Sequence, residues 1–333
     1  MPEEATIYME IKLWKVHGSG NTFYLYETSD EQEMDWVQLT LWLCDKENEG
    51  GADGLLLICP SSQADAKMRV INADGSEASM CGNGLRCVAR YICEKLEVEE
   101  AVIETMKASL KVRKESPLFE ELPTYSVEIS PVSFELSTLP MVYKGKSQVI
   151  HEVIEEFSPT IHFTAVSVPN PHLIGIVEEH YIKHQSHQFL LAHYLNNDNE
   201  YCTDGVNVSY VYPMAEDAIY VRTYERGVGF TNACGTAMTA SALVANLNGV
   251  VASTEVTVYN PGGFVKCIVE KNDEIYNLLL IGNATVTAIY TAEVIDGTFS
   301  WKRCERTAEQ KNYDKCIQFV KERTAQFLIS EKA

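Results

Sequence analysis

Two cysteines in this sequence stand where a turn meets the start of a predicted helix, and each is followed by glycine. Cys81 lies in NADGSEASMCGNGLR and Cys234 lies in YERGVGFTNACGTAM. The positive end of a helix lowers the pKa of a thiol at its N-terminus. Glycine lets a ligand approach the backbone, and the N–H groups of a first helical turn bind carboxylates. The amides predicted to do so here belong to Gly82, Asn83, Gly235 and Thr236.

Together the two segments suit the inversion of a stereocentre beside a carboxylate. Such an inversion needs a base on one face of the carbon and an acid on the other, and two thiols of near-neutral pKa can exchange these roles. The amides would stabilise the negative charge that reaches the carboxylate oxygens when the α-proton leaves, as an oxyanion hole does. The sequence therefore predicts Cys81 and Cys234 as an acid–base pair.

The competing interpretation is that a cysteine at a helix start is only an inert apolar residue. We favour that interpretation for Cys87, Cys93 and Cys267, because buried cysteines behave as small hydrophobic residues. The ten cysteines form no CxxC pair, and the sequence shows no secretory signal. We therefore expect reduced thiols rather than a disulfide framework.

The elements that must position the cysteines are also indicated by the pattern. Alternating apolar residues predict strands at 67–71, 125–129, 218–223, 254–259 and 264–269. Helices are predicted from about 81, from 234 to 247 and from 308 to 328, and the first of them is expected to carry Arg86, Arg90 and Glu94 on its polar face. A shift of 153 residues superposes Cys81 on Cys234 and Gly82 on Gly235. Strand, strand, turn and cysteine-headed helix then recur in one order, which favours two similar halves.

Composition excludes several classes of function. The chain has 333 residues, 46% of them hydrophobic, and a formal net charge of −20. A field of this sign repels phosphate backbones and anionic lipid, so we expect no nucleic-acid and no membrane partner. Residues 227–254 are uncharged but too rich in Gly, Ser, Thr and Asn for a lipid-facing span, which predicts a helix buried in protein. The N-terminus lacks the apolar segment of a signal peptide, so a cytoplasmic protein is expected.

Both cysteine segments resemble the two cysteine signatures of the diaminopimelate epimerase family. HGSGNTF, GGADG, SVPNPH and DGVNV are similar to other blocks of that family and follow its order, so the resemblance spans about residues 11–290. It implies an α/β fold of the α+β type with two pseudo-symmetric domains, each a curled, mostly antiparallel sheet around a central helix. We expect an N-terminal half at 1–133, a C-terminal half at 134–287, and a returning strand and helix at 288–333 that pack on the N-terminal half.

The resemblance also implies an activity, the interconversion of LL- and meso-2,6-diaminopimelate in lysine and peptidoglycan precursor synthesis. The enzyme would be a homodimer acting on a small amino acid without pyridoxal phosphate or metal. Cys81 and Cys234 would be the alternating base and acid, His172 and Glu225 would tune their pKa values, and Arg226 would grip the distal carboxylate with two donors. Residues implied in substrate binding are Asn21, Gly54, Asn72, Gly82, Asn83, Asn170, Asn207, Glu225, Arg226, Gly235 and Thr236.

Three positions depart from the family pattern. Gly54 stands where glutamine is frequent, Phe230 where glutamate is frequent, and Ala237 where glycine is common. The segment 178–203 and the tail after about 290 are longer than the family minimum. These departures leave open a racemase for another amino acid. A thiol-redox protein with a Cys81–Cys234 switch and a binder without activity are the other hypotheses.

Other polar groups are interpreted as structural. His180, His184 and His187 have the spacing of one helical face, as in some zinc sites, but their polar surroundings favour a solvated helix and no metal site. Asp53 lies beside glycine, where aspartate is favoured in turns. His17 is expected to pack or to form hydrogen bonds rather than to act as a base.

Overall fold

The computed structural model describes residues 8–32, 34–273 and 275–328. In this part of the chain the helices are α1 (Trp36–Cys44), α2 (Gly82–Leu96), α3 (Glu179–Lys183), α4 (Ser186–Leu195), α5 (Gly235–Leu247) and α6 (Glu309–Leu328). The strands are β1 (Tyr8–Gly18), β2 (Asn21–Glu27), β3 (Gly54–Cys59), β4 (Ala66–Asn72), β5 (Glu77–Ala78), β6 (Glu100–Glu104), β7 (Ser109–Glu115), β8 (Thr124–Ile129), β9 (Glu152–Val153), β10 (His162–Ser167), β11 (Pro171–Ile176), β12 (Asn207–Ala215), β13 (Ala218–Glu225), β14 (Gly229–Thr231), β15 (Glu255–Asn260), β16 (Gly263–Asn272), β17 (Ile275–Asn283), β18 (Thr285–Ile295) and β19 (Thr298–Arg306).

The chain divides into two compact units. Unit 1 contains the described residues up to Tyr125 together with Asn283–Asp314, and unit 2 contains Ser126–Gly282 together with the described residues from Lys315. Strands β18 and β19 therefore belong to the same unit as Cys81. The division expected from the sequence, with limits at 133/134 and 287/288 and the last segment packed on the N-terminal half, stays a prediction.

In unit 1 a sheet of mostly antiparallel strands surrounds α2. β1 pairs antiparallel with β2 and β18, β2 runs parallel to β3, and β3 pairs antiparallel with β4. β4 pairs antiparallel with β5 and parallel with β6, which pairs antiparallel with β7. The apolar face of α2 is buried, and Leu85 and Val88 have no exposed surface. Burial of each such side chain stabilises the fold by about 2 kcal/mol.

The same order of elements and pairings recurs in unit 2. β10 pairs antiparallel with β11, β11 runs parallel to β12, and β12 pairs antiparallel with β13. β13 pairs antiparallel with β14 and parallel with β15, which pairs antiparallel with β16. α5 is buried from Gly235 to Ala245, because its glycine, alanine, serine and threonine residues let strands approach on every side. Gly82 and Gly235, which are 153 residues apart, are the first residues of α2 and α5, and this confirms the repeat. The recurring strand pairings around each helix confirm the predicted fold class.

The histidine face considered from the sequence does not form. His180 lies on α3 and His187 on α4, and the backbone of His184 between them is extended (φ −117°, ψ 106°). His187 instead places Nδ1 2.6 Å from the hydroxyl of Tyr210. Among the residues that the structure describes, no group of three or more His, Cys, Asp or Glu side chains is arranged to hold a metal ion. None of the described helices is both long and apolar enough to cross a membrane.

Candidate active site

Cys81 immediately precedes α2, at the position whose side chain can cap a helix. Its backbone is extended (φ −145°, ψ 105°), and its Sγ accepts a hydrogen bond from the N–H of Gly84 at 3.4 Å. The thiol lies 3.8 Å from Oδ1 of Asn21, to which it can donate its proton. The partly buried sulfur therefore faces both the N-terminus of a helix and an amide oxygen.

Two glycines let the chain pack closely enough to form this turn. A Cβ at Gly84 would lie 2.7 Å from Cδ2 of Leu56, so a larger residue there requires the end of the Leu56 side chain to move. A Cβ at Gly18 would lie 2.6 Å from the carbonyl oxygen of Asn83, a backbone atom that cannot move aside alone. These glycines of the HGSGN and CGNG motifs allow β1 and β3 to pack against the first turn of α2, whose residues Gly82 and Asn83 are both buried.

A chain of hydrogen bonds orients the amide side chains beside Cys81. Nδ2 of Asn83 donates to Oδ1 of Asn21 at 3.4 Å, and Nδ2 of Asn21 donates to Oδ2 of Asp53 at 2.8 Å. The same carboxylate oxygen accepts the N–H of Thr22 at 2.8 Å. The sequence predicts only a turn at Asp53, but its carboxylate also orients the Asn21 amide. Because Nδ2 of Asn21 is bound to Asp53, Oδ1 of Asn21 is directed at the sulfur of Cys81.

The other end of this chain of bonds is Arg86, whose side chain has no exposed surface. Its Nη2 donates to Oδ1 of Asn83 at 3.1 Å and to Oγ of Ser19 at 3.0 Å, and its Nε donates to the carbonyl oxygen of Asn283 at 3.1 Å. Arg86 lies on the face of α2 that the sequence predicts to be polar, but that face is buried at Arg86 because the segments around Ser19 and Asn283 cover it. Sequence periodicity carries no signal for such a buried arginine.

Gly54 and Asn72 lie opposite each other in the β3–β4 pair. Nδ2 of Asn72 donates to Oγ of Ser76 at 3.0 Å, within the turn that follows β4. A Cβ at Gly54 would lie 2.5 Å from the carbonyl oxygen of Ile71. The close approach of these two strands therefore explains a glycine at position 54.

We expect Gly54→Ala to lower the free energy of unfolding by about 2 kcal/mol or more, because the new Cβ displaces the β4 backbone. Gly175→Ala is the matched control, since Gly175 also lies in a strand but its Cβ would meet only side-chain atoms of Ile161 and Phe163, at 3.0 Å. Urea denaturation of both variants measures the difference. Equal losses of stability would contradict the steric explanation.

Cys234 precedes α5 in the same way that Cys81 precedes α2, but it is more deeply buried. Its backbone is extended (φ −113°, ψ 114°), and its Sγ lies 3.5 Å from Oγ1 of the buried Thr236. Burial raises the pKa of the Cys234 thiol well above its usual range, and the charge of the Glu225 carboxylate raises it further. The expectation of a near-neutral pKa is wrong for Cys234, because desolvation exceeds the opposing effect of hydrogen bonds from Thr236 and Ala237.

Glu225 and Arg226 occupy the hairpin between β13 and β14. The hydroxyl of Thr231 donates to Oε1 of Glu225. The backbone N–H of Arg226 donates to Oδ1 of Asn207 at 2.9 Å, and its exposed guanidinium donates through Nη1 to the carbonyl oxygen of Asp204 at 2.8 Å. Asn207 in turn donates to the carbonyl oxygen of Pro171 at 3.1 Å. The hairpin therefore holds a carboxylate toward Cys234 and presents a cation to solvent.

Phe230 and Ala237, two of the departures from the family pattern, have packing roles. The ring of Phe230 lies edge-on to that of Tyr224, with centroids 5.3 Å apart, and the guanidinium of Arg222 lies 5.6 Å from its centroid. Ala237 has no exposed surface within α5. In this hairpin the ring of Phe230 therefore packs against its neighbours at the position where the family pattern frequently has the carboxylate of a glutamate.

His172 is fully buried on β11, opposite Asn207 on β12. In the described part of the chain neither of its ring nitrogens has a hydrogen-bond partner. Burial, with a smaller contribution from the charge of Arg226, lowers the pKa of His172 to about 3. The imidazole is therefore neutral at pH 7. The nearby Asn170 accepts the N–H of Val168 through its carbonyl oxygen at 3.0 Å.

The contacts of His17 confirm that it is a hydrogen-bonding residue. Its burial also leads us to expect that the stability of the protein depends on pH. Its Nδ1 accepts the N–H of Gly20 at 3.2 Å, so Nε2 carries the proton toward Oε1 of Gln310, also at 3.2 Å. Burial lowers its pKa to about 4. The unfolded chain, with an ordinary histidine pKa of about 6.5, then binds more protons between pH 6.5 and 4. The neutral, buried His17 therefore contributes to the free energy of unfolding fully above pH 6.5. This contribution, about 3 kcal/mol in total, is lost as the pH falls from 6.5 to 4.

The measurement is the free energy of unfolding at pH 7.5 and at pH 4.5, for the natural protein and for His17→Gln. The carboxylates titrate alike in both, so their contribution cancels. We expect a smaller loss of stability on acidification in the variant. The same loss in both proteins would show that His17 is not the group responsible.

The chain is similar to known proteins over most of its length. Residues 13–117 and 164–287 match the family model described as diaminopimelate epimerase. The diaminopimelate epimerase of Listeria innocua is 47% identical over 94% of this chain and 97% of its own length. That of Enterococcus faecalis is 46% identical over 95% of this chain and 100% of its own length.

Solved structures show the fold at much lower identity. A methylitaconate-delta-isomerase matches with a TM-score of 0.60 and 14% identity over 86% of this chain and 96% of its own. A phenazine biosynthesis protein of the PhzF family from Bacillus anthracis matches with a TM-score of 0.59 and 14% identity, over 85% of this chain and 99% of its own. A hydroxyproline epimerase from Agrobacterium vitis matches with a TM-score of 0.55 and 15% identity, over 86% and 91%.

Proposed function

Because this chain belongs to the diaminopimelate epimerase family, we propose that it is an isomerase that interconverts LL- and meso-2,6-diaminopimelate by proton transfer between two cysteines and the α-carbon. The observation that carries the proposal is 47% identity to a relative of that name over 94% of the chain. The chemistry of the two helix starts supports it independently of the name.

The proposed reaction breaks and re-forms one C–H bond. A thiolate removes the α-proton, so that an S–H bond forms and the electron pair spreads into the carboxylate. The thiol on the opposite face then gives its proton to the α-carbon and becomes the thiolate. Cys81 and Cys234 are the proposed pair, and they exchange roles when the reaction runs in reverse.

The buried N–H groups that follow each cysteine would stabilise the intermediate. They are preorganised at helix N-termini, where added negative charge on carboxylate oxygens is favoured. We assign this role to the residues named from the sequence, Gly82, Asn83, Gly235 and Thr236. Because the chain itself supplies acid, base and charge stabilisation, the proposed step requires neither pyridoxal phosphate nor a metal.

The electrostatics of unit 2 favour Cys234 as the protonated partner when substrate binds. Its burial and the Glu225 carboxylate both raise the pKa of the thiol. The contact of the Cys81 thiol with Oδ1 of Asn21 acts in the opposite direction to a thiolate there and favours the protonated form. Cys81 is, however, only partly buried, and its sulfur accepts the N–H of Gly84, so negative charge is less costly there than on the buried Cys234. In the proposed resting state Cys81 is therefore the base and Cys234 the acid. His172, neutral and buried, leaves the charge of this region unchanged near pH 7.

The substrate is proposed to have a second carboxylate. Arg226 presents an exposed guanidinium, whose paired donors match a carboxylate. The asparagines at 21, 72, 170 and 207 are proposed to bind the amino and carboxylate groups. The racemase hypothesis drew support from Gly54 and Phe230, and both positions now have a packing explanation. We further propose a cytoplasmic homodimer, as the family resemblance implies. The ten cysteines, all within the described residues, form no disulfide bond with one another.

Turnover of LL-diaminopimelate in heavy water, followed by NMR, tests the proposal. We expect the meso isomer to appear with deuterium at the inverted α-carbon. Strong activity on an amino acid that has a single carboxylate, without activity on diaminopimelate, would instead support a racemase of different specificity. Absence of deuterium exchange with every candidate would identify a binder without activity.

A further inference from the structure

The segment between β11 and β12 carries α3 and α4 and is tied to the sheet of unit 2 by a buried glutamine. Gln188 has no exposed surface. Its Nε2 donates to the carbonyl oxygens of Val208 at 3.0 Å and Arg222 at 2.8 Å, and its Oε1 accepts from Nε of Arg222 at 2.8 Å. The Arg222 guanidinium donates in turn to the carbonyl oxygen of Tyr181 in α3, at 2.7 Å. Both helices are thereby fixed to β12 and β13, so α4 can support other groups.

Asn196, at the C-terminal end of α4, pairs with a neighbouring segment as a strand would. Its Oδ1 accepts the N–H of Val206 at 3.0 Å, and its Nδ2 donates to the carbonyl oxygen of the same residue at 2.9 Å. Nδ2 also donates to the carbonyl oxygen of Ala192 at 2.8 Å. Val206 is 1% exposed, so both of its backbone polar groups depend on this one side chain within a buried environment.

The residues that Asn196 holds are adjacent to the ones that contact Arg226. The carbonyl oxygen of Asp204 accepts from the Arg226 guanidinium at 2.8 Å, and Oδ1 of Asn207 accepts the Arg226 N–H at 2.9 Å. Gly205 lies between the two side chains with φ +70°. A Cβ there would lie 2.5 Å from Oδ1 of Asn196 and 3.0 Å from Cδ of Arg226. Asn196, Gly205 and Arg226 therefore pack in a row that leaves no room for a further carbon atom.

We propose that Asn196 is a positioning residue for Arg226 and so determines where the distal carboxylate of the substrate is held. The inference rests on the proposed function, in which Arg226 binds that carboxylate. It assigns a role to the long segment 178–203: the segment provides a rigid support behind the specificity-determining arginine. Asn196 acts through Asp204 and Gly205 and does not itself contact the substrate.

Loss of the Asn196 amide should act mainly on binding. Without it the 204–206 segment loses its attachment to α4, and the carbonyl oxygen that orients the guanidinium moves. Two parallel hydrogen bonds to a carboxylate tolerate little displacement. We expect Asn196→Ala to raise the KM for diaminopimelate roughly ten-fold, with a smaller change in kcat, because the distal carboxylate is bound alike in ground and transition states.

A double-mutant cycle with Arg226→Ala separates positioning from general damage. If Asn196 acts through Arg226, then Asn196→Ala changes KM by less than about two-fold once the guanidinium is absent. Additive effects on KM would overturn the inference. Asn196→Asp is a second variant that keeps the bond from the Val206 N–H, and we expect a smaller rise in KM.

Asn199→Ala is the matched control in the same segment. Asn199 accepts the N–H groups of Tyr201 at 2.9 Å and Cys202 at 2.7 Å, and its Nδ2 donates to the Cys202 carbonyl oxygen that also accepts the Gly205 N–H. Its loss therefore weakens the same loop but leaves the bonds of Asn196 to Val206 and of Arg226 to Asp204 in place. We expect its KM to stay near that of the natural protein. Equal KM values in Asn196→Ala and Asn199→Ala would overturn the positioning role alone. Absence of diaminopimelate turnover by the natural protein would overturn the proposed function, and this inference with it.

Discussion

Replacement of either Cys81 or Cys234 by serine should reduce epimerisation of LL-diaminopimelate roughly a thousand-fold, with little change in KM. A serine hydroxyl is a much weaker acid than a thiol. It therefore does not ionise to replace the thiolate base, and it does not readily donate the proton that the opposite thiol supplies. Inversion requires both groups in every turnover, so the double variant should be no less active than either single one. The measurement is the initial rate of meso isomer formation, with KM determined separately.

Two buried cysteines, one in each unit, supply the controls. Cys93 lies near the end of α2, where burial raises its pKa to about 11, and Cys267 is buried on β16. Serine at these positions should alter stability but leave kcat within a few-fold of the natural value. A single variant at 81 or 234 that retains a tenth or more of the activity would exclude the two-base mechanism. In a thiol-redox protein, oxidant would instead change the state of the natural protein by joining Cys81 to Cys234. A reductant would have no effect on the serine variants, because they cannot form that bond.

Replacement of Arg86 by methionine should lower the free energy of unfolding by about 3 kcal/mol and reduce kcat as well. The side chain is fully buried, and its loss leaves the Asn83 amide, the Ser19 hydroxyl and the Asn283 carbonyl without the donors described above. Each buried acceptor left unsatisfied costs about 1–3 kcal/mol. Because Asn83 donates to Asn21, a released Asn83 also disturbs the amide oxygen directed at Cys81. Urea denaturation and steady-state kinetics measure the two effects.

Arg90→Met is the control, one turn further along α2. Its guanidinium binds the Glu309 carboxylate at 2.6 Å and the carbonyl oxygen of Ala284 at 2.7 Å, and it has no hydrogen bond to Asn83 among the described contacts. We expect Arg90→Met to lose stability while the folded enzyme keeps its kcat. If Arg86→Met folded and retained full kcat, the positioning of Asn21 and Asn83 by Arg86 would be wrong.

The sequence by itself determined the elements that local pattern specifies. The predicted helices at 234–247 and 308–328 correspond to α5 and α6, and the strand predicted at 67–71 lies within β4. Apolar periodicity and turn-forming glycines act over a few residues, so they can be detected without knowledge of the fold. The repeat of 153 residues extends the same reasoning to architecture, because two segments with the same pattern form the same strands, turn and helix.

Only the tertiary structure decided how polar side chains are used. Arg86 has the periodicity of an exposed residue, yet it is buried because segments distant in sequence cover that side of α2. Asp53 and Asn196 form bonds to partners that no spacing rule connects to them. The helix start at Cys234 predicted a lowered pKa, but desolvation and Glu225 reverse the direction. Burial and charge environment are sums over residues brought together by folding, whereas periodicity reports only on neighbours along the chain.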